Sequence, residues 1–313
     1  MAGWTRPLKT ELGLTPVLEL PHLEISLLRL AQGERFDFTA LPRRETAVVF
    51  ASGRVAATAG GRFWANAGTS LKAAPWTSFL PRTPSGPALG ALPRPRRRIS
   101  PEFRPLVHTS PWPLHQLLYL PPDTPVELQA LEAAEMLFAA TALPSGCSPP
   151  ETDLHGPFPD NSREIGYGAH RRLVTPSLLP GSGSVCLSIG ETYNPPGGWS
   201  TYPPHRHDRR ETQDGWTDGP RETQHEEIYV FRFAPSSGFG MARLYGERAP
   251  GLTGSDQALV FQHADALAIA QGYHTVCAAP GYHLHYLWAI AGPRAEASRA
   301  RPDRLHTWVD EEP

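Results

Sequence analysis

The chain has 313 residues, of which 40% are hydrophobic and 19% charged, and its formal net charge is −2. This length favours two domains of roughly 150 residues each. The composition is that of a globular protein and excludes an intrinsically disordered chain, and the charge gives the surface no general affinity for nucleic acid. No apolar run reaches the roughly 20 residues that span a bilayer, and the first residues do not resemble a signal peptide. We therefore expect neither a nucleic-acid nor a membrane partner.

The three cysteines, Cys147, Cys186 and Cys277, are widely separated and odd in number. Such a set forms neither a disulfide framework nor a Cys-x-x-Cys metal site. It indicates free thiols in a reducing compartment, and we expect a cytoplasmic protein.

Proline and glycine are unusually abundant, with 35 and 28 residues respectively. Proline is excluded from helix interiors, and both residues mark turns. This composition is typical of many short strands joined by frequent turns. We predict an all-β protein.

The first strand-like segments alternate between apolar and polar residues, as half-buried strands do. Residues 23–30 form one such segment. Residues 45–61 read as two strands joined at Ser52–Gly53, because serine and glycine are common turn residues.

The next segments continue this pattern. Residues 117–130 contain a strand, a proline-bearing turn and the start of another strand. Residues 131–142 are rich in alanine, which allows a helix, but a buried strand fits the surrounding pattern better. We predict that residues 1–142 form an N-terminal barrel.

Two segments interrupt the strand pattern. Residues 74–113 contain closely spaced prolines and a basic run at residues 94–98, which favours a solvated surface insertion over a nucleic-acid contact. Residues 143–162 have the composition of an interdomain linker. Strand signals resume in residues 163–313, which we predict to form a C-terminal barrel with strands near residues 185–193, 227–233, 240–245, 264–270 and 282–290.

His205 and His207 are the first candidate metal ligands. Residues i and i+2 of a strand point to the same face, so both imidazoles would project into one barrel interior while Arg206 faces outward. Two imidazoles at this spacing can bind one divalent ion. A His-x-His pair alone is a weak signal, because surface histidines have this spacing by chance.

Two further residues strengthen the interpretation. Glu227 opens an apolar strand and shares a face with Tyr229, whereas Glu226 would face the other way. An inward carboxylate is costly unless it is paired or bound to a metal. His274 follows a strand and a glycine turn. Together with the His-x-His pair these residues would form a site with three nitrogen ligands and one oxygen ligand. The alternative is that Glu227 caps a loop and His274 is a hydrogen-bonded turn residue.

Several ordered motifs resemble those of bacterial 5-deoxy-glucuronate isomerases of inositol catabolism. The resemblance is dense over residues 163–309 and diffuse but collinear before them. The motifs are GETYNPPGGWSTYPPHRHD (190–208), HEEIY (225–229), GFGMARLY (238–245), QGYH (271–274), YLWAIAGP (286–293) and HTWV (306–309).

The resemblance implies a bicupin, with two cupin-type β-barrels of the jelly-roll kind. It implies isomerisation of 5-deoxy-D-glucuronate, a small sugar acid, to 5-dehydro-2-deoxy-D-gluconate in myo-inositol catabolism. It also implies one divalent metal ion, with zinc as the first choice and manganese or iron as alternatives. The chain departs from the family at Trp288, where asparagine is usual, in the proline-rich insertion and in a longer tail. The ligands carried over by motif are His205, His207, Glu227 and His274.

The reaction also needs a carboxylate clamp and a proton-transfer group. Arg243 is the candidate clamp, because guanidinium binds carboxylates in bidentate fashion. Its alternative is an outward-facing surface residue. The candidates for the general base are Glu191, Tyr202 and Tyr286, and a metal-bound hydroxide is equally compatible.

Two other functions share these features. One is an iron-dependent cupin dioxygenase using the same four ligands, and the other is a non-catalytic sugar-binding bicupin. The N-terminal barrel is predicted to bind no metal, because its only histidines, His22, His108 and His115, form no His-x-His pair. A homo-oligomer is compatible with the sequence.

Overall fold

The computed structural model describes residues 3–70, 113–157, 159–209, 222–246 and 256–310. Within these ranges the chain forms 21 strands, three short 3-10 helices and no α-helix. This confirms the all-β prediction. In the same ranges, no helix is long and apolar enough to cross a membrane.

The N-terminal half contributes a nine-stranded assembly. One row of strands has the order β10-β7-β5-β9-β3-β2, and β5 also pairs with β6 and with β8, which in turn pairs with β4. The strands up to β10 are β1 (Gly3–Pro7), β2 (Gly13–Glu19), β3 (Glu24–Leu30), β4 (Arg35–Thr39), β5 (Arg44–Ala59), β6 (Arg62–Thr69), β7 (Leu117–Leu120), β8 (Pro125–Ala130), β9 (Ala134–Ala142) and β10 (Asp153–His155).

The long strand β5 belongs to both parts of this assembly. Its first part pairs with β7 and β9, and its second part pairs with β6 and β8. The change occurs at Gly53, whose φ is +78° and where a Cβ atom would lie 2.2 Å from the carbonyl oxygen of Ala133. The predicted break at Ser52–Gly53 is therefore a bend within one strand, because glycine allows the backbone to turn without leaving the sheet.

The C-terminal half contains two facing sheets. A seven-stranded sheet has the order β1-β18-β15-β20-β13-β12-β11, and a five-stranded sheet has the order β17-β16-β19-β14-β21. Their strands are β11 (Arg163–Ile165), β12 (Arg172–Leu178), β13 (Ser188–Asn194), β14 (Trp199–Arg206), β15 (Glu226–Ala234), β16 (Phe239–Tyr245), β17 (Asp256–Gln262), β18 (Asp265–Ile269), β19 (Tyr273–Ala278), β20 (His283–Ala291) and β21 (Arg301–Pro302). The 3-10 helices are Pro159–Asn161, Gly168–His170 and Thr307–Asp310.

Three apolar cores follow from the alternation of side chains along the strands. Val48 and Phe50 point into the N-terminal barrel, and Phe231 points into the C-terminal barrel. Ala47 and Val49, which alternate with these inward residues along β5, pack in a third cluster with side chains of the C-terminal sheet. Each large apolar side chain buried in this way contributes roughly 1.5–3 kcal/mol. Two barrels packed face to face confirm the predicted architecture.

Strand pairing crosses the predicted division of the chain at residues 142 and 163. β1 extends the C-terminal sheet by pairing with β18, and β10, inside the predicted linker, pairs with β7. The Glu45 carboxylate also accepts hydrogen bonds from the amides of three consecutive C-terminal residues, Val185, Cys186 and Leu187. The two barrels are therefore joined by backbone pairing and polar contacts as well as by apolar packing. The predicted insertion at residues 74–113 and its basic run lie almost entirely outside the described residues.

Candidate metal centre

Both sheets of the C-terminal barrel carry predicted ligands. His205 lies in β14 directly opposite His274 of β19, and His207 follows one residue after the end of β14. Glu227 is the second residue of β15 in the facing sheet. Because side chains two residues apart share a face, His205 and His207 project from the same side of the chain. The four predicted ligands therefore meet inside one barrel.

The donor atoms of these four side chains lie close together. The ring centroid of His274 lies 4.9 Å from that of His205 and 5.3 Å from that of His207. One ring nitrogen from each histidine lies within 4.8 Å of the others. The Glu227 Oε2 atom lies 3.0 Å from His207 Nε2 and 3.2 Å from His274 Nε2. Three imidazole nitrogens and one carboxylate oxygen suit a catalytic divalent ion.

Backbone carbonyls orient two of the imidazoles. The Nδ1 atom of His207 lies 3.2 Å from the carbonyl oxygen of His225, and Nδ1 of His274 lies 3.4 Å from that of Gly272. A proton on Nδ1 can be donated to these oxygens, which leaves Nε2 of each ring directed at the centre. Ligand histidines in metalloproteins are held in this way.

The charges of the buried groups also fit a cation. Burial alone would raise the pKa of Glu227, but its contacts with His207 and His274 outweigh burial and lower the pKa, so the carboxylate is ionised. Burial, with the neighbouring histidines, holds the pKa of His205 well below its ordinary value, and the ring is neutral. The buried Nε2 atom of His274 faces the same carboxylate oxygen as His207, at 3.2 Å. An ionised carboxylate and a neutral imidazole are the ligand states that bind a divalent ion.

His207 differs from His205. Burial lowers its pKa, but the hydrogen bond and charge of Glu227, together with the His225 carbonyl and Asp208, outweigh burial, and the net effect is a raised pKa. A metal ion would therefore displace a proton at this position, because only the deprotonated nitrogen can act as a ligand.

Tyrosine hydroxyls line the barrel beside the four ligands. The Tyr286 hydroxyl lies 2.5 Å from Ser200 Oγ, and the Tyr229 hydroxyl lies 3.3 Å from Thr201 Oγ1. Burial raises the pKa of both phenols, so both keep their protons at neutral pH. Of the three predicted base candidates, only Tyr286 lies in this interior wall.

Tyr202 lies further out and is half-buried. Its ring centroid is 5.9 Å from that of His170, in the second 3-10 helix, and 6.2 Å from that of His306, directly before the third. Trp288, the departure from the family pattern, pairs with Gly190 in the β13–β20 register. A Cβ atom added to Gly190 would lie 2.1 Å from the indole ring of Trp288. The indole therefore fills the space that a side chain at position 190 would need.

Glu191 lies on the opposite face of β13 from the metal centre. Its Oε2 atom lies 2.6 Å from His115 Nδ1 and 2.8 Å from His285 Nε2, and its Oε1 accepts a hydrogen bond from the His115 backbone amide. A cavity of about 350 Å³ on this side is lined by Glu191, Tyr193 and His285. The prediction of Glu191 as a base at the metal centre is wrong, because β13 is buried on both faces and Glu191 points between the two barrels.

His115, Glu191 and His285 have donor atoms close enough for a second metal ion. However, the Arg232 Nη1 atom lies 2.9 Å from His115 Nε2, and a guanidinium can only donate a hydrogen bond. Nε2 of His115 is therefore the acceptor, and its Nδ1 carries the proton directed at Glu191. We interpret the group as a hydrogen-bonded network. A metal-free N-terminal barrel remains a prediction, and His108 lies outside the described residues.

Arg243 and Arg206 differ in part from their predicted positions. Arg243 alternates with the buried Ala242 and Leu244 on β16, and its guanidinium makes bonds of 2.9 and 2.7 Å to Asp256 on the outer face. Its role as a clamp inside the barrel is therefore wrong. Arg206 does point away from the ligand face, but it is only 1% exposed, and its Nε atom donates a hydrogen bond to Glu222 at 3.1 Å.

Replacing Arg243 with glutamine is expected to leave metal content unchanged and to alter kcat/KM by less than about twofold. The side chain is paired with Asp256 on the outer face, away from the candidate metal centre, and such an exposed ion pair contributes only roughly 0–1 kcal/mol to stability. Elemental analysis and steady-state kinetics of the purified variant test this expectation. A large loss of activity with normal metal content would place Arg243 back in the binding site.

Sequence reasoning missed Arg172, the first residue of β12. It is 8% exposed, and its Nη1 atom donates hydrogen bonds to the carbonyl oxygens of His170 and Tyr202 at 3.0 and 3.2 Å. Arg171 beside it is instead paired with Glu164 near the surface. Because Arg171 and Arg172 are adjacent at the start of a strand, the sequence does not show which of the two side chains points into the barrel.

Two packed barrels, one holding three histidines and a glutamate around a point, define a bicupin with a candidate metal centre. The family model KduI/IolB matches residues 109–309. The chain therefore belongs to the KduI/IolB family, which confirms the resemblance seen in its motifs.

Curated relatives and solved structures agree with this assignment. The chain is 32% identical over 194 residues to the 5-deoxy-glucuronate isomerase of Geobacillus thermodenitrificans, a stretch covering 62% of this chain and 65% of that protein. It is 33% identical over 153 residues to that of Listeria monocytogenes serotype 4b, covering 48% and 51%. The aligned stretches thus span between about half and two thirds of these relatives.

Two solved structures share the fold. An IolB-like protein from Salmonella typhimurium LT2 superposes with a TM-score of 0.72 at 20% identity, over 98% of each chain. A mutant of Bacillus subtilis oxalate decarboxylase superposes with a TM-score of 0.53 at 12% identity, over 96% of this chain and 79% of that one. At these identities the similarity demonstrates the bicupin fold.

Proposed function

We propose that this protein is an aldose–ketose isomerase that converts 5-deoxy-D-glucuronate to 5-dehydro-2-deoxy-D-gluconate. The observation that carries the proposal is the convergence of three histidines and one glutamate inside the C-terminal barrel of a chain whose curated relatives are named 5-deoxy-glucuronate isomerases. The proposed ligands of one divalent ion are His205, His207, Glu227 and His274, with zinc as the first choice.

The proposed division of labour follows the geometry of the site. When bound, a divalent ion would supply Lewis-acid polarisation of the substrate carbonyl. Isomerisation also moves a hydrogen between adjacent carbons and a proton from a hydroxyl to the former carbonyl oxygen. Tyr286 and Tyr229 keep their protons and face the same interior, so they can donate hydrogen bonds to those oxygens. Tyr286, held by Ser200, is our candidate for proton transfer on oxygen.

The proposal is tested by incubating the metal-loaded protein with 5-deoxy-D-glucuronate in D₂O and following ketose formation and deuterium uptake by NMR. We expect ketose from the metal-loaded protein and none after treatment with a chelator, with recovery when metal is restored. Catalysis should be equally fast without oxygen, whereas an iron dioxygenase would require it. A fully metal-loaded protein that forms no ketose would contradict the proposal.

A further inference from the structure

The position of Arg172 suggests a second part of the binding site. Arg172 lies two residues before Val174, which pairs with Thr192 of β13, and the Thr192 side chain contacts Tyr286 in the barrel wall. Because side chains two residues apart share a face, Arg172 and Val174 project into the same interior as Tyr286. The arginine therefore shares its compartment with the metal centre.

Hydrogen bonds place the guanidinium between the two sheets. Arg172 starts on β12 of the seven-stranded sheet, whereas Tyr202, whose carbonyl oxygen accepts from Nη1 at 3.2 Å, lies in β14 of the five-stranded sheet. A side chain that begins on one sheet and binds a carbonyl of the other must lie between them.

The remaining donors of this guanidinium are available. Among the residues that the structure describes, Nε and Nη2 of Arg172 have no hydrogen-bond partner, and no carboxylate forms an ion pair with the residue. Asp310 is the described acidic residue whose charge interacts with Arg172, and it is largely exposed on the last 3-10 helix. In contrast, the buried Arg206 and Arg232 already bind Glu222 and His115.

A buried cation without an anionic partner is costly, and burial lowers the pKa of Arg172 accordingly. The Nε and Nη2 atoms form one edge of the planar guanidinium, and this edge matches the two oxygens of a carboxylate. We propose that Arg172 forms a carboxylate-binding subsite, which holds the acid end of the sugar while its carbonyl end faces the metal centre. This inference rests on the proposed function for the identity of the substrate.

The test compares Arg172→Gln with the matched variant Arg243→Gln in the metal-loaded full-length protein. Calorimetry would measure binding of two probes, D-glucuronate and the uncharged D-glucose. We expect Arg172→Gln to weaken D-glucuronate binding at least about 10-fold, because a charge-assisted bidentate contact is lost, and to leave D-glucose binding unchanged. Arg243→Gln should bind both probes as the parent does.

Metal content and melting temperature separate recognition from structural support. If Arg172→Gln loses metal, or weakens the binding of both probes equally, the residue only supports β14 and the inference is overturned. Unchanged D-glucuronate binding in the variant, or no D-glucuronate binding by the parent, also overturns it. If the glutamine variant does not fold, Arg172→Lys can replace it. Lysine retains the charge but not the two parallel donors of the guanidinium, so this variant should still weaken D-glucuronate binding and leave D-glucose binding unchanged.

The binding measurement does not depend on turnover. The parent protein could fail to isomerise 5-deoxy-D-glucuronate and still need Arg172 to bind D-glucuronate. That result would contradict the proposed function but support the carboxylate-binding subsite. If the parent does isomerise, Arg172→Gln should lower kcat/KM by a similar factor, with the loss appearing mainly in KM.

Discussion

Replacing His207 with alanine is expected to abolish binding of the proposed metal ion and the proposed isomerase activity together. His207 supplies one of three imidazole nitrogens, and its Nε2 atom is 3.0 Å from Glu227 Oε2. Losing even an outer hydrogen-bond partner of a ligand costs 10–100-fold in metal affinity, so losing the ligand should cost more than about 100-fold. Elemental analysis after dialysis and the NMR assay measure the two losses.

A matched control is His22→Ala. His22 lies between the barrels, where its backbone amide binds Glu226 on the face of β15 opposite Glu227. Removing its imidazole should therefore leave metal content and activity close to those of the parent. The four-ligand assignment would be wrong if His207→Ala kept a full equivalent of tightly bound metal and its activity.

Replacing Glu191 with alanine is expected to destabilise the protein by about 3–5 kcal/mol, the usual cost of removing one partner from a buried charged network. Glu191 accepts hydrogen bonds from the backbone and ring of His115 and from the ring of His285. His115 in turn accepts from Arg232, which also donates to the carbonyl oxygen of Ala51. This network joins strands of both barrels, so its loss should loosen their interface.

The protonation states support this expectation. Burial alone would raise the pKa of Glu191, but His115 and His285 outweigh burial and lower it, so the carboxylate is ionised. Burial lowers the pKa of His285 to about 4, so this ring is neutral at neutral pH. The variant would leave Arg232 buried without the Glu191 charge, although burial lowers the pKa of Arg232 only to about 10.

Urea denaturation at fixed metal content measures the effect on stability. A suitable control is Asp256→Asn in the exposed pair with Arg243, which should cost less than about 1 kcal/mol. The same Glu191 variant also tests the role predicted from sequence. A general base contributes roughly 10²–10⁴-fold to the rate, so folded Glu191→Ala protein with near-parent activity would show that the residue is structural. A loss of that size at unchanged stability would instead support catalysis.

Local patterns identified the four metal-ligand candidates. The two-residue period of a strand places His205 and His207 on one face, and Glu227 is conspicuous as a carboxylate at the start of an apolar strand. The opposite orientation of Glu226 was also predicted, and its contact with the His22 amide between the barrels agrees. These features depend only on neighbouring residues and on strand geometry, which the sequence contains directly.

The misplaced residues share a different cause. Alternation shows that Glu191 and Thr192 face opposite ways, but it does not show which side faces the candidate metal centre when both sides are buried, as on β13. On β16 the alternation is clear, yet the sequence does not say whether Ala242 or Arg243 points toward the opposite sheet of the barrel. Arg172 was missed for the same reason.

By itself, the sequence determined the all-β class, the approximate strands and the set of metal-ligand candidates, because turn residues and the two-residue period act over a few neighbouring positions. The tertiary structure alone decided the pairing of β1 with β18, the joining of the barrels through Glu45 and Glu191, and the inward position of Arg172. These features depend on which strand edges and sheet faces meet across large separations in the chain. Such choices are made by the packing of the whole molecule, and they leave no periodic signal in the segments themselves.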